Sequence, residues 1–174
     1  LSIELEPYQA LIKSVIFQQL RPASATAIFN RFKQNFDNNF PTEEKILTSP
    51  ESKLKESGLS FNKRKTIIEI ARHVQKGELE NRQNFLIMND SQIIEKLTKI
   101  KGIGEWTAQM LMIFNLGKLD VFPPGDFALR KNYSLFKSIA SPLTMRELSK
   151  ISEEWKPFRS IAAWYLWRYK NILN

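Results

Sequence analysis

Residues 97–108 read Leu97-Thr98-Lys99-Ile100-Lys101-Gly102-Ile103-Gly104-Glu105-Trp106-Thr107-Ala108, and this stretch decides how the rest of the chain is read. A helix ends, two glycines bracket one aliphatic residue, and a second helix begins. Glycine adopts backbone angles that other residues resist, so the turn can be very tight. The first main-chain N–H groups of the second helix lack partners inside it and form a ready anion site. A phosphate can bind there without any side chain. Ile103 is expected to point inward and pin the turn to the core. An ordinary tight connection between helices would carry the same Gly-Ile-Gly, so the tripeptide alone does not separate the two readings.

Working outward, the pattern is helical nearly everywhere. Pro7 suits a first turn, and apolar residues run from it to Phe17. Pro22 opens a second helix with Ile28, Phe32 and Phe36 at four-residue spacing. Pro41-Thr42-Glu43 and Ser49-Pro50-Glu51 read as starts of short helices, and Gly58 ends that stretch. Ile67, Ile70, Ala71 and Val74 form one stripe closed by Gly77. Asn89 with Gln92, and Thr144 with Glu147, read as capping boxes. A last, aromatic-rich helix runs from about Phe158 to Tyr169. No run alternates like a strand, and there is no repeat, so the fold class is all-α. The two least helical segments are Thr98–Gly104 and Asp120–Gly125, and loops on a rigid scaffold are where function tends to sit.

The 174 residues suit one compact unit or two small lobes, and a hydrophobic share of 43% supports a packed interior. Lys and Arg number 26 against 18 Asp and Glu, a net charge of +8. That balance favours a polyanionic partner, nucleic acid first and an anionic membrane surface second. Absence of cysteine excludes disulfides, zinc-thiolate sites and iron–sulfur clusters within these residues and fits a reducing compartment. No apolar run has transmembrane length, and Leu1–Leu20 carries Glu4 and Glu6 where a secretory leader would be basic. The expected location is intracellular, cytoplasmic at the nucleoid in a prokaryote or nuclear in a eukaryote.

Asp126 stands at the end of Asp120-Val121-Phe122-Pro123-Pro124-Gly125-Asp126. Two prolines and a glycine make the approach stiff and sharply turned. Before Phe127, Ala128 and Leu129, this aspartate is a natural helix N-cap, and spacing alone gives it that role. Asp120 precedes the turn and is the weaker candidate for chemistry.

The full string from Leu97 to Ala108, with the Gly/Pro-rich loop and aspartate that follow, resembles the helix-hairpin-helix (HhH-GPD) superfamily of DNA glycosylases. Trp106, and the segment Trp155-Lys156-Pro157-Phe158-Arg159-Ser160 closing on Leu166-Trp167, look like the 3-methyladenine DNA glycosylase II family in particular. Gly58-Leu59-Ser60-x-x-Lys63 is another string of that family, and the likeness runs from about Tyr8 to Tyr169. It implies a two-lobed helical bundle spanning 1–174, with the hairpin at about 98–105, a catalytic loop at 120–126 and a DNA-binding cleft between the lobes. Asp126 becomes the catalytic carboxylate: breaking an N-glycosidic bond builds positive charge on the sugar, which a carboxylate stabilises while helping a water attack. Capping and catalysis are compatible.

Bifunctional relatives carry a lysine two residues after the second hairpin glycine, whose amine forms a Schiff base. Here Trp106 stands there, so the implied enzyme is monofunctional and leaves an abasic site. Trp106, Met110 and Trp167 are the implied base-pocket residues, whereas Trp155 and Trp164 are expected to pack in the core. Gln19 falls in the wedge place, with Leu20 beside it and Arg21 as a phosphate contact or competitor. Lys101, Gly102, Ile103, Gly104 and Thr107 form the implied DNA-binding hairpin, with Lys99 meeting phosphate or solvent. Carbonyls of Thr98, Ile100 and Ile103 match the positions that hold a monovalent cation, Na or K; no other cofactor is required. His73 reads as solvated surface, and the cluster Lys63, Arg64 and Lys65 as a solvated face first and a DNA contact second. The implied partner is double-stranded DNA with a damaged base, bound by a monomer, with no membrane. A non-catalytic DNA-binding module and a glycosylase-lyase are the alternatives. Many relatives carry an N-terminal β-rich lobe, whereas this sequence begins at the helical core.

Overall fold

The computed structural model describes residues 5–172, all helix, turn and loop with no strand among them. Eleven α-helices are present among the described residues. Helix α1 (Pro7–Phe17) and α2 (Pro22–Gln34) each open on a proline, whose missing N–H costs nothing in a first turn. Then come α3 (Glu43–Thr48), α4 (Glu51–Glu56) and α5 (Phe61–Gln75). Helix α6 (Arg82–Ile87) was not legible as a separate element. Its signal is Asn81, whose side chain accepts the Asn84 N–H as an N-cap. Helix α7 (Asp90–Thr98) starts at the Asn89–Gln92 capping box and α8 (Glu105–Phe114) at Gly104. Helix α9 (Phe127–Phe136) starts at Asp126, α10 (Met145–Ser152) at the Thr144–Glu147 box, and α11 (Arg159–Ile172) closes the chain.

Two separate cores give two lobes. In the larger, α1 packs on α2, α5 and α8, while α3 and α4 pack on α5 and α7 on α8. Leu11, Ile16, Phe32, Ile67, Leu97 and Met112 are fully buried there. In the smaller, α9 packs on α11 around Phe122, Leu129, Tyr133, Leu148 and Ala163. Trp167 is half-buried and touches both cores.

The seam between lobes is the segment leading to Asp126. Val121 is buried in the larger core and the next residue, Phe122, in the smaller. An extended backbone sends successive side chains to opposite sides, which is how one segment serves both. Arg159 and Ser160 hold this segment in place. Arg159 Nε donates to Asp120 Oδ1 at 2.7 Å and Nη2 to Oδ2 at 3.0 Å. The Ser160 hydroxyl accepts the Val121 N–H at 2.9 Å and lies 2.7 Å from the Lys118 carbonyl. The Arg-Ser pair of the C-terminal motif therefore fixes the strut that carries the loop, and Asp120 is an ion-pair residue.

Two surface readings are corrected. His73 is not free in solvent: Nδ1 lies 2.9 Å from the Glu69 carbonyl and Nε2 3.5 Å from Glu78. The Lys63–Lys65 cluster is not a uniform solvated face either. Lys63 is bonded into the turn after α1, and Arg64 binds Glu51 and the Leu59 carbonyl. Only Lys65 remains at the surface, over the exposed Phe61 ring.

Candidate active site

The hairpin explains its glycines differently. Gly102 has φ +95°, and a Cβ there would lie 2.0 Å from Thr66 Oγ1 on α5. No other residue fits. Gly104 has φ −96°, a conformation open to any residue, and nothing lies within 4 Å of a Cβ built there. The interior makes no demand on this glycine. Between them Ile103 is buried, as expected, and its N–H donates to the Ile100 carbonyl at 3.0 Å. Gly104 supplies no side-chain cap, which leaves the first N–H groups of α8 presented outward. Lys101 is exposed beside them. Thr107 is buried, and its hydroxyl accepts Gln18 Nε2 at 2.8 Å, so this side chain joins α8 to α1 and does not face outward.

Asp126 is a helix cap with a second partner. Its Oδ1 accepts the Leu129 N–H at 3.0 Å, fixing the start of α9. Its Oδ2 accepts the indole N–H of Trp106 at 2.8 Å. The two loops singled out in the sequence are thus joined by one carboxylate. Trp106 is 39% exposed and Asp126 half-buried, so the pair is open to a large ligand. The second carboxylate, Asp120, is held below the usual carboxylate range by its hydrogen bonds from Arg159.

A cavity of about 430 Å³ lies between α1 and α8, and neither Trp106 nor Asp126 is among its lining residues. Lys13, Ser14 and Phe17 line it from α1, and Met110, Phe114 and Asn115 from α8 and its end. Trp106, Met110 and Phe114 stand four residues apart and so share one helix face, roughly 6 Å per step. Met110 is a wall residue. Trp106 stands a turn above it, at the carboxylate. Trp167 does not line the cavity; its ring packs tilted against that of Phe114, with centroids 5.5 Å apart. Phe17 and Phe114 were missed in the sequence; the four-residue step from Met110 is the signal that finds Phe114. Trp155 packs in the smaller core against Phe122 and Tyr133, as expected. Trp164 does not: it is half-buried at the surface under Arg168 and lines a second cavity.

The turn after α1 carries Gln19 and Leu20 outward. Gln19 has φ +56°, uncommon for a residue with a side chain, and Leu20 is 38% exposed. Arg21 is the exposed N-cap position of α2. Thr98 and Ile100 lie at the C-terminal end of α7, the end of a helix where a cation is favoured.

Comparison with known proteins gives the chain a family. The family model for the HhH-GPD superfamily base excision DNA repair protein matches residues 12–157. The DNA-3-methyladenine glycosylase 1 of Schizosaccharomyces pombe is 39% identical over 170 residues, 97% of this chain and 75% of that protein. The alkylbase DNA glycosidase-like protein mag2 of the same yeast is 34% identical, covering 97% of this chain and 80% of its own. The solved structure of the S. pombe 3-methyladenine DNA glycosylase Mag1 in complex with abasic DNA superimposes with a TM-score of 0.88, covering 94% of this chain and 80% of that one. A DNA-3-methyladenine glycosidase from Bacillus halodurans, 33% identical, gives 0.82 over 93% of this chain and 74% of its own.

Proposed function

The chain belongs to the HhH-GPD superfamily of base excision DNA repair proteins, and from that premise we propose that it extrudes alkylated bases of the 3-methyladenine type from double-stranded DNA and hydrolyses their glycosidic bond, leaving an abasic site. The observation that carries this reading is the 2.8 Å bond from Trp106 Nε1 to Asp126 Oδ2. The residue two places after the hairpin, where a lyase carries its amine, here reaches the carboxylate with a group that is no nucleophile. The 3-methyladenine relatives and the Mag1 complex with abasic DNA support the substrate and the partner.

Alkylation of a ring nitrogen makes the base a cation. As the C1′–N bond breaks, its electron pair goes to the base, which departs neutral. The sugar takes up positive charge, and Asp126 stabilises it. Water then adds to C1′ and gives up a proton, with Asp126 as the acceptor. An electron-rich wall attracts a cationic base by about 0.5–2 kcal/mol per good contact. A normal base gains less and must also be unpaired, at a cost of a few kcal/mol that damage reduces. Gln19 and Leu20 form the wedge that fills the vacated stack. The hairpin N–H groups, with the bare Gly104, take a phosphate. The Thr98, Ile100 and Ile103 carbonyls would hold a monovalent cation, which would supply positive charge for a phosphate.

Release of methylated base from alkylated DNA tests the reading, with Asp126→Asn alongside. Unmodified protein that binds DNA and releases nothing is a binding module. A covalent adduct trapped by borohydride makes the protein a lyase and refutes the role given to Trp106.

A further inference from the structure

The wedge turn has a support that its own sequence lacks. Helix α1 ends with no basic residue in its last turn, so its terminal carbonyls have no local cation. Lys63, in the first turn of α5, supplies one from elsewhere. Its Nζ donates to the Ile16 carbonyl at 2.8 Å and to the Gln18 carbonyl at 2.8 Å. These two carbonyls flank Phe17, and the second belongs to the residue directly before Gln19, which is held at φ +56°. From the other side, Gln18 Nε2 reaches Thr107 on α8 at 2.8 Å. The backbone before the tip is thus held from α5 while the Gln18 side chain is held from α8, and Gln19 and Leu20 follow as exposed residues. Burial pushes the Lys63 ammonium down from the ordinary lysine value; a surface lysine serving only solubility would not be held in this way. One turn along the same helix, Thr66 packs on Gly102 of the hairpin. A single helix therefore sets the positions of both DNA-facing devices.

We propose that Lys63 is the positioning residue of the wedge, its two bonds to Ile16 and Gln18 holding Gln19 and Leu20 in the arrangement that fills the gap left by an extruded nucleotide. The proposal rests on the wedge reading above. Its physical signature is selective. A loosened wedge matters where a stacked, paired base must be displaced, and matters little where the opposite position is already vacant. A lysine that merely stabilised the fold would affect both substrates alike.

The test compares single-turnover release of 7-methylguanine from two duplexes, one with cytosine opposite the lesion and one with an abasic site opposite. Lys63→Met is expected to slow release about tenfold on the paired duplex and less than twofold on the vacant one, with Lys63→Arg recovering most of the loss. Amide exchange at Gln19, Leu20 and Arg21 should accelerate in Lys63→Met while α8 stays protected. Equal slowing on both duplexes, or no slowing on either, overturns the proposal. If Lys63→Met does not fold, Lys63→Gln, a neutral and shorter polar side chain, is judged by the same ratio. The double variant Gln19→Ala, Leu20→Ala separates the two levels. If it shows no preference for the vacant duplex, the wedge reading itself fails; if it does and Lys63→Met does not, only the role of Lys63 fails.

Discussion

Trp106→Phe separates two things the tryptophan does. Phenylalanine keeps an aromatic ring at the head of the α8 face but removes the indole N–H that reaches Asp126 Oδ2 at 2.8 Å. Oδ1 stays with the Leu129 N–H, so the carboxylate remains in place but is free to swing about its remaining tether. Hydrogen bonds to charged groups are worth about 1.5–3 kcal/mol. Because Trp106 is 39% exposed, the lower end applies, about 1.5 kcal/mol. At about 1.4 kcal/mol per decade that is close to a tenfold fall in rate. In the proposed reaction the carboxylate acts on the charge that develops on the sugar, so the fall belongs in kcat, with KM changed less than twofold. Base release from methylated duplex DNA under saturating substrate, set beside a titration of KM, measures both. A variant with unchanged kcat, beside an inactive Asp126→Asn, would show that the bond does nothing for the chemistry. A loss confined to KM would make Trp106 a binding wall only.

The two hairpin glycines should behave oppositely. Gly102→Ala combines a positive φ with a 2.0 Å approach to Thr66 and should lower stability by more than about 2 kcal/mol in urea unfolding. Gly104→Ala meets nothing and should leave stability within about 0.5 kcal/mol. Yet it should weaken duplex binding severalfold by fluorescence anisotropy, if a phosphate comes up to that backbone. Asp120 ties the seam to Arg159, and its carboxyl is held below the ordinary aspartate value of about 3.9. A group depressed in the folded state contributes stability above its unfolded pKa and loses it as pH falls through the folded one. Asp120→Asn should therefore cost about 1 kcal/mol at pH 7 by thermal melting, and the difference should begin to narrow only as pH falls below about 4. Affinity for DNA should fall linearly in log–log form with salt as phosphate contacts release counterions; a flat response would count against a phosphate-binding hairpin.

Much of the fold was legible because helix ends carry their own chemistry. Prolines 7 and 22, the Asn89 and Thr144 boxes and Gly77 all mark boundaries found in the structure. The short α6 escaped because it has no apolar stripe of its own, only a capping asparagine and one buried phenylalanine. Within the site, Asp126 was legible twice over, as a cap and as the end of a stiff loop. What sequence spacing hides is partnership across long separations. The bond from Trp106 to Asp126 and the two from Lys63 to the end of α1 join residues from different elements, and no local pattern encodes them. Lys63 was misread as a solvated charge for that reason: charge and helix position alone describe a surface residue, and only the neighbouring carbonyls show otherwise. The hairpin pattern likewise includes Thr107 but does not say that its hydroxyl turns inward to Gln18.

Val121 and Phe122 are adjacent in the chain yet belong to different cores. It follows that the protein has no clean place to be cut in two. A fragment ending before Val121 would lose one of the residues closing the larger core, and one beginning after Phe122 would start with a hole in the smaller. Neither half could be exchanged for that of a relative without refitting this pair, so the segment carrying Asp126 travels with both lobes as common property.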